Sequence, residues 1–431
     1  MAEHLITFLF ASGFIFIIYK WNFFNVPEIP RWYFVAVYLL KFMAGITLAF
    51  LFIKYFNGGD TYSYFDNACR IHELALRNPR HFLMVMAGSD SPELTPFYNT
   101  LGLWKSYELF DFDAQTIIRI NALIRFVSFG IYNVHVLFFS FFSLAGIMAF
   151  YRIMRRPAWR NHKLLFAGLF MFPSLMFWTS GILKEGILIL GMGFLFYALY
   201  LLLHFKNRFR SAYAFLFIAL LLMAMVKMYV LALLIPGIAA WIWVEKTRLK
   251  NIGLKFGITH AVYFLMLFNV HYIFPELNAI ELLYYKQHNS IVFADYMQSR
   301  SIIHPPVIEK SVLSIITKAP AAFAQSFIHP LLTQAHNPFA LLAALENLIL
   351  WGCIAGALVF SQKVKTAFLP LVLLSLFFTV ALYILIGFTA TTAGSLVRFK
   401  IPALPFLVFI LALLFDKSKI PFFGKKKEAT G

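Results

Sequence analysis

Tyr33 to Phe56 reads YFVAVYLLKFMAGITLAFLFIKYF, an apolar run whose only charges are Lys41 and Lys54. A helical span needs about 20 mostly apolar residues to cross about 30 Å of hydrocarbon. This run meets that length, and others like it recur along the chain near 5–19, 129–151, 164–178, 187–204, 211–226, 228–244, 256–274, 339–360, 366–388 and 402–415. The composition agrees: 61% of the 431 residues are hydrophobic, 13% are charged and the mean hydropathy is +0.76, outside the range of a soluble domain. The apolar residues are continuous rather than alternating, which excludes an outer-membrane barrel. The expected fold is therefore all-α, a polytopic bundle of about eleven spans forming a single integral membrane domain over 1–431. Two long polar loops, 57–115 and 275–338, are expected to carry amphipathic surface helices.

The first stretch has no basic n-region and no small-residue cleavage site, so it is taken as a span rather than a secretion signal. The formal charge of +18 is concentrated in short connections. Arg152, Arg155, Arg156, Arg160 and Lys163 form one cluster, and Lys206, Arg208 and Arg210 a second. Lys246, Arg248, Lys250 and Lys255 form a third, and Lys363, Lys365, Lys417, Lys419 and Lys425–Lys427 complete the series. With Lys20 and Arg31 these make 21 of the 37 basic residues, against Glu28, Glu245, Asp416 and Glu428 on the same side. That bias is the positive-inside pattern. It predicts a cytoplasmic C-terminus, an external N-terminus and external long loops. It also assigns the basic clusters to topology and anionic lipid rather than to nucleic acid. Cys69 and Cys353 suggest neither a disulfide framework nor a thiolate metal site.

Asp60, in Asn57-Gly58-Gly59-Asp60-Thr61-Tyr62-Ser63-Tyr64, follows the second span and is the first acid beyond it at that end. Two glycines permit a tight exit from the helix, and the acid could cap the next one. A carboxylate at the water boundary could also act as general base toward an acceptor hydroxyl. Ser63, Asp66, Arg70, Glu73 and Arg77 recur at helical spacing, opposite Phe65, Cys69, His72 and Leu76. The pattern predicts a helix lying on the membrane surface, with Asp66/Arg70 and Glu73/Arg77 as i,i+4 pairs. Asn121, Arg125, Ser128, Tyr132 and His135 form a polar stripe, either lining a cavity or joining neighbouring helices.

Three further groups carry charge near predicted span ends. Phe172-Pro173-Ser174-Leu175-Met176-Phe177-Trp178-Thr179-Ser180-Gly181-Ile182-Leu183-Lys184-Glu185-Gly186 joins two spans, and Thr179 or Ser180 is expected to cap the second of them. The uncapped amides with Lys184 would then form an anion site, while a simple Lys184/Glu185 pair at the interface is the structural alternative. Thr391 to Pro405 is expected to be the last external connection, where Arg398 and Lys400 suit phosphate recognition. Glu346 lies within a span and must be paired or face water. Lys227 is expected to mark a hairpin turn between two spans. There is no HExxH, Walker A or CxxC motif, and His288, His304, His329 and His336 are scattered over one loop. No metal ligand set is therefore assigned.

At Gly59-Asp60-Thr61-Tyr62, at Pro173 through Glu185, at Gly394 through Pro402 and from His329-Pro330 through Glu346, the chain resembles bacterial polytopic envelope-glycan proteins of the GT-C glycosyltransferase type. The resemblance implies an inverting sugar transfer from a polyprenyl-phosphate-linked donor to a glycan or lipid acceptor on the outer face of the bacterial inner membrane. It places Asp60 as the acid that activates the acceptor, and the reading of the residues themselves adds Lys184, Arg398, Lys400, Arg125, Tyr64 and Glu185 as substrate- or phosphate-binding candidates. No cofactor is fixed, and a divalent metal would be compatible. The class often carries paired acids in the first loop where this chain has Gly59-Asp60-Thr61 alone. That departure keeps lipid-linked polysaccharide polymerases close, with a glycan transporter or flippase as the alternative from another class.

Overall fold

The computed structural model describes residues 1–56, 59–101, 112–205, 209–247, 250–296, 301–334 and 338–419. Trp104, His336, Lys206, Arg208, Arg248 and Lys425–Lys427 lie outside the described residues. The helices in chain order are α1 (Ala2–Lys20), α2 (Arg31–Phe56), α3 (Gly59–Arg77), α4 (Pro79–Ala87), α5 (Thr95–Tyr98), α6 (Phe112–Ser128), α7 (Tyr132–Met154), α8 (His162–Phe170) and α9 (Pro173–Trp178). They continue as α10 (Lys184–His204), α11 (Phe209–Lys246), α12 (Ile252–Asn269), α13 (Ala279–Tyr296), α14 (Val312–Ile328), α15 (Pro338–Val359), α16 (Leu369–Thr389), α17 (Ala393–Lys400) and α18 (Leu404–Leu414). Among the described residues there is no strand, and the extended contacts are isolated bridges such as Ile302 with Thr392. The protein is all-α, and nine of its described helical segments are long and apolar enough to cross a membrane. It is a multi-pass membrane protein.

Nine segments replace the eleven apolar runs for two local reasons. The run 164–178 is divided into α8 and α9, each too short to span. Pro173 has no N–H and excludes helix from the residue before it, and Phe172 is accordingly extended at φ −63°, ψ 124°. The runs 211–226 and 228–244 instead join in the 38-residue α11. Lys227, expected at a turn between two spans, is the one non-helical residue between the two halves of that segment, at φ −152° and ψ 80°.

The chain divides into two compact units, Met1–Ile153 with Leu169–Leu231 and Met154–Gly168 with Ala232–Gly431. In the first, α7 and α10 meet through glycine. A β-carbon on Gly193 would lie 2.2 Å from the Gly146 carbonyl oxygen, and one on Gly146 would lie 2.4 Å from that of Ile189. Small residues that let backbones touch replace the hydrophobic driving force, which is absent between helices in lipid. Arg152, which the charge pattern assigned to topology, also donates to the carbonyls of Phe23, Asn22 and Asn25, fixing the turn after α1.

The expected surface helix forms as α3, but it packs on α6 and α4. Thr61, Tyr64, Ala68 and Ile71 are its buried stripe, while Leu76 is exposed. Its expected ion pairs are replaced. Arg70 donates to the Thr100 carbonyl, and Glu73 accepts from Cys69 Sγ at 3.4 Å.

In the second unit the described residues of the region 275–338 include the helices α13 and α14. Helix α14 packs along α16, with Ile308, Ile315, Ala322 and Phe388 at the centre of the contact. Gln287 clamps the adjoining segment, donating to the Phe388 and Pro306 carbonyls and accepting from the Ile308 amide. The stretch Thr391 to Pro405, expected to be a connection, is largely helical. Thr392 and Ser395 form a capping box that starts α17, which runs on through a 3₁₀ turn at Ile401–Ala403 into α18.

Candidate functional site

The first unit gathers charge around the start of α10. Lys184 is its first residue and Glu185 its second, and neighbouring residues on a helix point about 100° apart. They therefore do not pair with each other. Lys184 Nζ lies 2.7 Å from Asp113 Oδ2 at the start of α6, and 5.8 Å from the centroid of the Tyr64 ring. Both partners of this ion pair remain partly accessible, at 17% and 22%. Glu185 turns inward to Lys227 at 3.4 Å, and this second pair is buried, with exposures of 0% for the acid and 5% for the lysine. The α11 kink thus lies where the helix brings its cation to α10. Tyr229, two residues beyond, is coupled to Lys227, Glu185 and Asp113.

Asp60 lies in the first turn of α3, directly after Gly59, whose φ is +48°. It lies one turn before Tyr64, so the two project from one face of α3, and the Tyr64 ring carries that face to Lys184. Tyr64, Lys184 and Asp113, far apart in sequence, are thus in contact, and Glu185, next to Lys184 on α10, reaches Lys227. Neither Thr179 nor Ser180 caps α10. Its N-cap is Leu183, which makes no side-chain bond. Thr179 and Ser180 instead donate back to the carbonyls of Leu175 and Met176, which closes the end of α9.

Thr179 has a second role that the sequence did not suggest. Its hydroxyl accepts from Lys41 Nζ at 2.7 Å, and that lysine, inside span α2, is 1% exposed. The nearby turn is packed tightly. A β-carbon on Gly45 would meet the Ser180 carbonyl oxygen at 2.5 Å, and Leu48, Phe52 and Leu183 close over it. Residues 179–183 are non-helical and buried in protein, the condition under which irregular backbone is tolerated at membrane depth.

The polar stripe is divided by the turn at Phe129 and Gly130, both of positive φ. Asn121, Ser128 and His135 form a closed buried network across that turn. Asn121 donates its amide to the Ile117 carbonyl and accepts from His135 Nδ1 at 2.7 Å. The imidazole Nε2 is then the acceptor for the Ser128 hydroxyl at 2.8 Å. These three residues join helices rather than lining a cavity. Arg125 stands apart from them, 5.4 Å from the Phe65 ring centroid, with a buried Nη1 that has no hydrogen-bond partner. Tyr132 stacks on Tyr62 at 4.7 Å. Burial, and then the Arg125 guanidinium, hold the nearby His72 below its ordinary pKa.

The second unit holds the other predicted cations. Arg398 lies near the end of α17 and is partly exposed. Lys400, 7% exposed, turns inward. Its Nζ donates to the His329 carbonyl at 2.7 Å and lies 5.5 Å from the Tyr383 ring centroid. Glu346, on α15, lies near enough to Lys400 and Tyr383 to act electrostatically on both. Asn347 and Trp351 fasten the same helix to α14 by donating to the Ile328 and Phe327 carbonyls.

Among the described residues no three of His, Cys, Asp and Glu are gathered so as to hold a metal ion. Asp113 and Lys41 are the members that sequence reasoning passed over, and Lys227 was read as a turn rather than as the partner of Glu185. The available signal was each one's isolation as a charge beside or within apolar helix. No family model matches this chain, and neither a curated protein nor a solved structure matches it.

Proposed function

We propose that this protein is a membrane glycosyltransferase that moves a sugar from a polyprenyl-phosphate-linked donor to an envelope glycan or lipid acceptor on the non-cytoplasmic face of the bacterial inner membrane. The observation that carries this reading is the partly exposed Lys184/Asp113 pair beside Tyr64, which lies one helical turn from Asp60, at the start of a helix long and apolar enough to cross a bilayer. Transfer from a lipid phosphate needs a carboxylate to take the proton of the acceptor hydroxyl and a cation to meet charge developing on the leaving phosphate. Asp60 supplies the first and Lys184 the second. Asp113 sets the direction of the ammonium and adds a second acid that the first-loop motif lacked. A polymerase joining lipid-linked repeats would use the same groups on a longer donor.

A flippase for a lipid-linked glycan is a second reading, favoured by the kink at Lys227 and its buried partner Glu185. Broken helices with ionisable groups line transport paths. The Asp60→Asn variant separates the two, because asparagine keeps the size and a hydrogen-bonding oxygen but cannot act as a base. Membranes carrying it should insert normally and lose sugar transfer by roughly 10²- to 10⁴-fold, measured with radiolabelled lipid-linked donor. Transfer within twofold of wild type would refute the enzymatic assignment, and retained glycan translocation in that variant would favour the flippase.

A further inference from the structure

Two hydroxyls on α16 are buried without partners. Thr379 is 5% exposed and Tyr383 2%, they lie one turn apart on the same face, and neither Oγ1 nor the phenol oxygen makes a hydrogen bond. The same helix shows how such groups are ordinarily satisfied, since Ser375 and Thr389 donate to the carbonyls one turn back, those of Leu371 and Leu385. Thr379 does not do this, and lipid has no group to offer either hydroxyl. Lys400 and Glu346 stand beside Tyr383, and the Phe327 and Trp351 rings stack 6.3 Å apart near it.

We propose that this face of α16, with Glu346 and Lys400, is a subsite for the hydroxyl-bearing ring of a sugar. The charges select the ligand. An acid repels phosphate and a lysine repels a metal ion, so the pair together favours a neutral group that both accepts and donates hydrogen bonds. Glu346 as carboxylate only accepts and Lys400 only donates, whereas Thr379 and Tyr383 do either. A sugar ring presents hydroxyls of both kinds at its rim and apolar C–H faces that pack on aromatic rings. The choice of a lipid-linked sugar as ligand rests on the glycan-transfer reading above; the unpartnered hydroxyls do not.

The test measures binding to the full-length protein in nanodiscs, followed by tryptophan fluorescence. The probes are polyprenyl-phosphate-linked glucose, galactose, mannose and N-acetylglucosamine, with sugar-free polyprenyl phosphate as control. Tyr383→Phe and Thr379→Val each keep the packing volume and remove only hydrogen-bonding capacity. At least one sugar-bearing probe should bind wild type, and both variants should weaken that binding tenfold or more without changing the affinity for the control. The subsite is overturned if no sugar-bearing probe binds more tightly than the control, or if both variants bind as wild type does. Asp60→Asn, assayed in parallel, should bind these probes normally. Loss of transfer in Asp60→Asn with unchanged binding in Tyr383→Phe would sink the subsite alone. Tyr383-dependent binding in a protein without transferase activity would sink the enzyme assignment alone.

Discussion

Gly387→Ala should leave little folded protein. A β-carbon at that position would lie 1.8 Å from the Ala322 carbonyl oxygen and 2.4 Å from its carbon, far inside any real contact distance. The obstructing atoms belong to the backbone, so no rotamer change removes the clash and Ala322→Gly would not relieve it. Helices α14 and α16 must move apart, and the contact they share around Ile315 and Phe388 opens with them. Packed interiors transmit such strain rather than absorbing it, and overpacking typically costs about 1–3 kcal/mol, more where backbone must shift. The check is thermal unfolding in detergent followed by size-exclusion chromatography. A melting temperature within a degree of wild type would show that these two helices are not in the contact described.

The second large effect concerns the buried ion pair. Lys227→Met and Glu185→Gln each leave one charge uncompensated where the partners are 5% and 0% exposed. Breaking such a pair from one side costs about 3–5 kcal/mol, whereas replacing both members by neutral groups is often close to neutral. Each single variant should therefore unfold at a markedly lower temperature, and the double variant should recover most of the loss. A double variant whose destabilisation equals the sum of the two singles would exclude the pairing. Asp113→Asn, at the more exposed pair, should have a smaller effect on stability because solvent screens that interaction.

These outcomes bear on what could be read from the chain alone. Apolar length identified the spans, because hydrocarbon thickness constrains every one of them in the same way. Breaks inside apolar runs were less legible. Hydropathy is blind to the single residue by which Lys227 leaves helical geometry, and the missing donor at Pro173 outweighs the apolar character of the residues that follow it. In the site, Lys184 and Glu185 were visible as charges at a span end, but adjacency in sequence suggested that they pair with each other. Helical geometry sends them to Asp113 and Lys227 instead, partners 71 and 42 positions away. The stripe through His135 had the correct spacing, but the positive-φ turn at Phe129 and Gly130 folds it against itself. Spacing alone cannot reveal that.

The contact between Lys41 and Thr179 constrains how the molecule is made. The lysine enters the bilayer within the second span, but the hydroxyl that accepts its hydrogen bond is 138 residues further along. At synthesis rates of roughly 5–20 residues per second, the partner emerges on the order of ten seconds later. During that interval α2 carries an unmatched ammonium, which is costly at the bilayer centre. Early spans released one by one into lipid would meet that cost in full. Maturation must therefore keep the first two helices within reach of the insertion machinery, or of water, until α9 arrives, which makes assembly order a property of this chain as much as its final shape.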